Sequence, residues 1–228
     1  SEISGDFRSH PKPIAIDVVA PLKQDLPTLI HGTQSDDYLT MLGDVVRQGA
    51  HASMTSANRP PAPGLSSAIA YAHGGEDSLV GKDGTRMVGG AGSDTLYAEL
   101  GSGTTQLVGG DHNDLLIGGE NDVLIGGRGD DDIVLRGLGA RVFTGSGEDT
   151  IMIDHSSFGS LRGIGVTRVL DFDTNRDNII INMPTLEKHH LDFEERSTGV
   201  LVSIKDPVMN EAFGSRDLML IHGVSDPQ

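Results

Sequence analysis

At 228 residues, with 36% hydrophobic side chains and no tryptophan, the chain has length for one large or two modest domains but lacks the aromatic content of a thick core. A formal net charge of −16 excludes the electrostatic footprint of a nucleic-acid or anionic-membrane binder, and the absence of cysteine excludes disulfides and thiolate metal sites. No apolar run approaches the roughly 18 residues of a helical membrane span, and no signal-peptide pattern begins at Ser1, so any export information is expected to lie elsewhere.

In chain order, Ile14 to Val19, between Pro13 and Pro21, reads as a short strand. Gly32-Thr33-Gln34-Ser35-Asp36-Asp37-Tyr38-Leu39 admits two readings. One is a glycine-aspartate turn followed by a strand, weakened by Ser35 where a glycine belongs. The other is a helix capped by Ser35, with apolar residues at Tyr38, Leu39, Met41, Leu42, Val45 and Val46, and this is the stronger signal. Thr55 to Ser67, with its Pro60-Pro61-Ala62-Pro63-Gly64 run, is a loop or linker. Residues 1–70 are therefore expected to form a short cap containing a helix.

From Gly74 to Met152 short glycine-aspartate turns alternate with short apolar runs. The best copy, Gly89 to Tyr97, fits G-G-x-G-x-D-x-U-x at every defined position, U being a large aliphatic. Glycines at the first, second and fourth places permit a tight turn with free carbonyls, and the aspartate at the sixth adds an anionic oxygen. The x-U-x that follows is a three-residue strand with one inward side chain, which no single repeat can bury, so the repeats must stack. In a stack of two sheets successive turns fall on opposite edges, so every second turn stacks on one edge. One edge collects Asp77, Asp94, Asp114, Asp131 and Asp149, separated by 17, 20, 17 and 18 residues. On the other edge the sixth place is eroded: Arg86, Thr105 and Arg141 stand there, the two arginines as fixed positive charges in place of ions, and only Asp122 survives. Carbonyls with carboxylates are the donors that Ca²⁺ prefers, so about four ions are expected, mainly along the first edge, with the metal-free chain partly or wholly unfolded.

Beyond the repeats, Val166 to Phe172, Asn178 to Asn182, Gly199 to Ile204 and Leu218 to His222 read as strands. The connection from Asp171 to Asp177 begins like an EF-hand loop but fails it at Arg176 and Asn182, leaving a turn that offers Asp171 and Asp177 to an extra ion.

The repeats, the Asp171-Phe172 to Ile179 stretch and the closing Ile221-His222-Gly223-Val224 together resemble the C-terminal RTX (repeats-in-toxin, haemolysin-type) region of type I secreted bacterial proteins, over about Gly74 to Val224. The resemblance implies an all-β fold: a right-handed parallel β-roll (a two-sheet solenoid) at 71–155, the N-terminal cap at 1–70 and a C-terminal antiparallel β cap at 156–228. It also implies side-chain ligation of Ca²⁺ by Asp94, Asp114, Asp131 and Asp149, with Asp77 and Asp122 as further candidates. Carbonyls would come from Gly89, Ala91 and Gly92, from Gly109 and Asp111, from Gly126, Arg128 and Gly129, and from Gly145 and Gly147. His112 in place of the fourth glycine, and a shortened turn before Asp77, depart from the pattern. The family's apolar export tail is not evident after Asp226, which suits an excised part of a longer chain.

Catalytic signatures are wanting. There is neither H-E-x-x-H nor G-x-S-x-G, and His189-His190 lies in a polar surface stretch. The expected activity is calcium-dependent folding of a secreted, non-enzymatic module. Its alternatives are an adhesin or attachment module that meets a surface glycan, and the non-catalytic C-terminal part of a larger secreted hydrolase. Neither nucleic acid nor a membrane span enters any of these readings.

Overall fold

The computed structural model describes residues 28–41, 68–101, 103–154, 165–182, 186–205 and 217–223. The expected strand at Ile14 to Val19 and the linker at 55–67 lie outside them. The described chain is almost entirely β. Its strands are β1 (Thr28–His31), β2 (Tyr38–Met41), β3 (Ala68–Gly74), β4 (Ser78–Gly81), β5 (Thr85–Ala91), β6 (Thr95–Ala98), β7 (Gln106–Asp111), β8 (Leu115–Gly118) and β9 (Val123–Arg128). There follow β10 (Asp132–Leu135), β11 (Arg141–Ser146), β12 (Thr150–Asp154), β13 (Thr167–Val169), β14 (Asn178–Asn182), β15 (Leu191–Arg196), β16 (Gly199–Ile204) and β17 (Asp217–His222).

Two parallel sheets face each other in a solenoid-like stack. Odd-numbered strands from β1 to β13 form one sheet, which continues through β17, β16 and β15; even-numbered strands from β2 to β14 form the other. From β1 to β14 consecutive strands alternate between the sheets, which puts successive turns on opposite edges. β15 and β16 run antiparallel to each other, as do β16 and β17, while β17 joins β13 in parallel.

The alternation of the strand pleat explains the core. Leu39, Leu79, Leu96, Leu116, Ile133 and Ile151 stand in one register column and all are fully buried. Met87, Leu107, Leu124 and Val142 oppose them from the other sheet. The stacked strands give one to three aliphatics each to a thin interior, so no aromatic layer is required. Volume is matched locally: a Cβ on Gly118 would meet the Leu124 Cδ atoms at 2.9 and 3.0 Å, and one on Gly81 would meet Met87 Sδ at 3.0 Å.

Two expectations change. Tyr38–Met41 is strand β2, paired in parallel with β4, and not the start of a helix. Its alternating burial places Leu39 and Met41 inside, a period of two that overrides the helical spacing; the remainder of the expected helix, 42–46, lies outside the described residues. The stacked region is also wider than 71–155, because β1 and β2 precede it, and β13 and β14 carry the same alternation past it.

The two edges differ in regularity. Three residues separate the strands at each first-edge turn from Gly75–Asp77 to Gly147–Asp149, whereas the second-edge connections span three, seven, four and five residues from β4 to β11. Because the interior column is continuous, Leu116→Ala should cost about 2–5 kcal/mol in chemical denaturation, with the two neighbouring rungs unable to close the gap. A cost below about 1 kcal/mol would mean that the column relaxes freely.

Candidate functional site

The first edge is built from six-residue turns, each leading from the long sheet into the short one: Gly32–Asp37, Ala72–Asp77, Gly89–Asp94, Gly109–Asp114, Gly126–Asp131 and Thr144–Asp149. Close stacking fixes their glycines. Gly110 has φ +135°, and a Cβ there would fall within 3.0 Å of the Gly90 carbonyl oxygen of the preceding turn.

The sixth residues form a continuous ladder. The backbone N–H of Asp37 donates to Asp77 Oδ1 at 2.6 Å, that of Asp77 to Asp94 Oδ1 at 2.8 Å, and that of Asp94 to Asp114 Oδ1 at 2.8 Å. Asp114 N–H donates to Asp131 Oδ1 and Asp131 N–H to Asp149 Oδ1, both at 2.9 Å, and Asp149 N–H reaches Asp177 Oδ1 at 3.3 Å. Each carboxylate therefore spends one oxygen on the main chain of the preceding turn.

The second oxygens have no such use. Oδ2 of Asp77, Asp94, Asp114, Asp131 and Asp149 is buried without a hydrogen-bond partner, in residues no more than 3% exposed. A Cβ on Gly89 would lie within 3.0 Å of both Asp94 Oδ2 and the Gly109 carbonyl oxygen. Gly109 stands likewise between Asp114 Oδ2 and the Gly126 carbonyl, and Gly126 between Asp131 Oδ2 and the Thr144 carbonyl. At these places a carboxylate oxygen and a carbonyl oxygen converge on a space that only glycine leaves open. Burial pushes the carboxyls of Asp77 and Asp94 up to about 6 and those of Asp114 and Asp131 up to about 7, and raises Asp149; neighbouring carboxylates push the same way, while the ladder N–H bonds oppose. An array of buried oxygens without donors needs protons or a cation, and the oxygen-only donor set fits a hard divalent ion. Among the described residues no three His, Asp or Glu side chains come together, so such an ion would rest on one carboxylate per turn and on main-chain carbonyls.

The remaining expected site residues divide. Gly92, Gly129 and Gly147 occupy fourth places and Gly145 a second place, all at positive φ. Ala91, Asp111 and Arg128 occupy third places, where the Ala91 and Asp111 carbonyls accept from Gly75 N–H (3.0 Å) and Gly92 N–H (3.2 Å). The Arg128 and Asp111 side chains face solvent and pair with each other at 3.6 Å. Asp77 does not lie in a shortened turn: its turn starts at Ala72, with His73 in the second place at φ +80°. His112 adopts φ +82° in the fourth place, as a glycine would.

Asp122 is not an orphan, since Thr105 N–H donates to Oδ1 (2.6 Å) and Gly119 N–H to Oδ2 (2.7 Å). Asp171 Oδ1 accepts from Thr144 N–H (2.8 Å), and Asp177 Oδ2 from Thr144 Oγ1 (3.2 Å) and Asp173 N–H (2.8 Å), so both cap the ladder with protein donors. Arg86 and Arg141 do not stand in the sixth places of the second edge. Those hold Thr85, Thr105, Asp122 and Ala140, and the two arginines lie one residue on, exposed on β5 and β11. Also on that edge is Arg136, half-buried, which donates to Tyr97 Oη and to the Ala98 carbonyl, both at 2.6 Å, and lies 4.3 Å from the Tyr97 ring centre. The sequence reading missed Arg136 and Asp37. The aspartate was recoverable from its Gly32-Thr33 start; the arginine carries no local signal.

Comparison of the sequence with protein-family models gave no match, and comparison with curated proteins gave none. No helix among the described residues is long and apolar enough to cross a membrane.

Raised carboxyl pKa values stabilise the protonated, cation-free fold. That contribution is complete below about pH 4 and is lost as the pH rises through about 6 to 7. In chelator, the far-UV circular dichroism signal of β-structure should therefore be stronger at about pH 5 than at about pH 8; the opposite order would refute the buried-oxygen account. Arg136→Gln should cost about 1–3 kcal/mol in thermal or urea unfolding through loss of its two charge-assisted bonds and ring contact.

Proposed function

We propose that the chain is a calcium-binding module of RTX type, whose biochemical act is to take up Ca²⁺ along the first edge and complete its fold in doing so. The observation that carries this reading is the in-register row of five buried Oδ2 atoms, from Asp77 to Asp149, without hydrogen-bond partners. Bound Ca²⁺ would supply the positive charge that five stacked carboxylates lack. Asp94 with the Gly109 carbonyl, Asp114 with Gly126 and Asp131 with Thr144 are the residues placed to hold it, and about four ions fit the intervals between the five aspartates. Glycines at the first places of those three turns keep the space open, whereas Ala72 and Thr144 stand there in the turns of Asp77 and Asp149. The Oδ1 ladder aims each carboxylate before an ion arrives.

The same chemistry argues for folding coupled to binding. Without a cation, ionised carboxylates sharing one edge repel each other and suffer burial together, so the unfolded chain is favoured at neutral pH. A module of this kind suits a secreted protein that crosses the cell envelope unfolded and closes where calcium is plentiful. Each site at one hundred times its Kd adds about 2.7 kcal/mol to stability.

Far-UV circular dichroism during Ca²⁺ titration, with Mg²⁺ as control, should give a cooperative coil-to-β transition with Ca²⁺ alone; a chain already β-folded in chelator would remove the reading. Calorimetry should return about four tight sites. Asp131→Asn should lower that affinity by at least about tenfold, while Asp122→Asn, at a carboxylate already satisfied, should leave the stoichiometry unchanged. Eight or more tight sites would contradict the one-edge assignment.

A further inference from the structure

At the N-terminal end of the long sheet, His31 Nδ1 lies 3.0 Å from His73 Nε2, the two exposed rings being inclined by 11° with centres 5.3 Å apart. His31 closes β1, and His73 belongs to the neighbouring strand β3. Tyr71, directly opposite His31 in the register, stacks on the His31 ring at 5.4 Å and 14°, and lies 6.3 Å from the His73 ring. The pair is thus held in place by a third ring.

His73 sits where the backbone disfavours it. Its register partners in the succeeding turns are Gly90, Gly110, Gly127 and Gly145, all at positive φ, and His73 alone among these five carries a side chain, at φ +80°. A side chain kept in a place that the succeeding turns give to glycine points to a use for it. The hard-cation row has no use for it, because imidazole nitrogen is a poor partner for calcium and a good one for borderline transition metals.

We propose that His31 and His73 form a binding site for a borderline divalent metal ion of the Zn²⁺, Ni²⁺ or Cu²⁺ class, separate from the carboxylate row. The separation of the nitrogens is the argument from geometry. Two imidazoles binding one metal at about 2.0–2.1 Å, with an angle between square and tetrahedral, place their nitrogens about 2.8–3.4 Å apart. The 3.0 Å found here falls within that span. Metal uptake leaves both imidazoles neutral, each ring proton residing on the outward nitrogen, His31 Nε2 and His73 Nδ1, while the facing lone pairs turn to the ion. Solvent completes the coordination shell, since the described residues bring no third His, Asp or Glu to the pair. His189 and His190 do not offer the same arrangement: His189 Nδ1 is 3.2 Å from Glu187 Oε2, and His190 Nδ1 accepts from Glu187 N–H at 3.1 Å.

The test is calorimetric titration of Zn²⁺ into the full chain in Ca²⁺-containing buffer at neutral pH, on wild type, His31→Gln, His73→Gly and a His189→Ala/His190→Ala control. His73→Gly restores the residue that the column prefers, and far-UV circular dichroism verifies that each variant is folded. The expected result is one Zn²⁺ with micromolar affinity, weakened at least about tenfold in either single variant and unchanged in the control. Absence of such a site, wild-type affinity in either single variant, or loss only in the control overturns the proposal. Should a variant fail to fold, the imidazole nitrogens of the wild type decide by NMR: Zn²⁺ must shift His31 Nδ1 and His73 Nε2 first, and shifts confined to other histidines refute the site.

Discussion

Everything on the first edge depends on how an aspartate divides its two oxygens. Oδ1 belongs to the main chain: it takes the N–H of the aspartate one rung earlier and so fixes the height, spacing and orientation of each turn against the next. Oδ2 is left inside with no donor of its own. The first arrangement makes the stack regular, and that regularity puts the orphaned oxygens in a row. A buried carboxylate oxygen without a partner is among the least tolerable groups in a protein, and five in register are a demand that the chain itself does not meet.

The two ends of that row are handled differently from its middle. At the N-terminal end the Asp37 carboxylate receives Thr33 N–H, and at the C-terminal end the Asp171 and Asp177 carboxylates are served by Thr144, Gly145 and Asp173, with Arg176 engaging Asp173 at 2.8 Å. The opposite edge solves its charge problem internally, with Asp122 bonded at both oxygens and Arg136 beside it. Among the described residues, the partnerless buried carboxylate oxygens are therefore confined to one stretch of one edge.

Much of this was legible in the sequence. The turns ending at Asp94, Asp114, Asp131 and Asp149 announce themselves because spacing, glycine and aspartate agree, and the U positions are the buried column, from Leu79 to Ile151. Where one level conflicted, the reading slipped. Ala72 and His73 stand where glycines are expected, which hid the true start of the turn before Asp77. The spacing of Tyr38 to Val46 imitates a helix, so Asp37 went unrecognised as the first rung. Arg86 and Arg141 were displaced by a single residue, and in a strand one residue is the difference between the turn and the outer face. Arg136 could not be found at all, since its partners Tyr97 and Ala98 lie two strands back in the same sheet and about forty residues away in the chain.

The unequal regularity of the two edges has a consequence for how such a chain can change length. The carboxylate edge keeps three residues between strands at each of the five turns from Gly75–Asp77 to Gly147–Asp149, while the opposite edge already accommodates connections from three to seven. A residue gained or lost on the first side would throw every later rung out of step; on the second it is absorbed in a surface loop while the strand that follows re-enters the same register. Duplication errors and insertions are thereby filtered by side. The irregular margin is the face on which a chain of this design can acquire new loops without surrendering the order of the other.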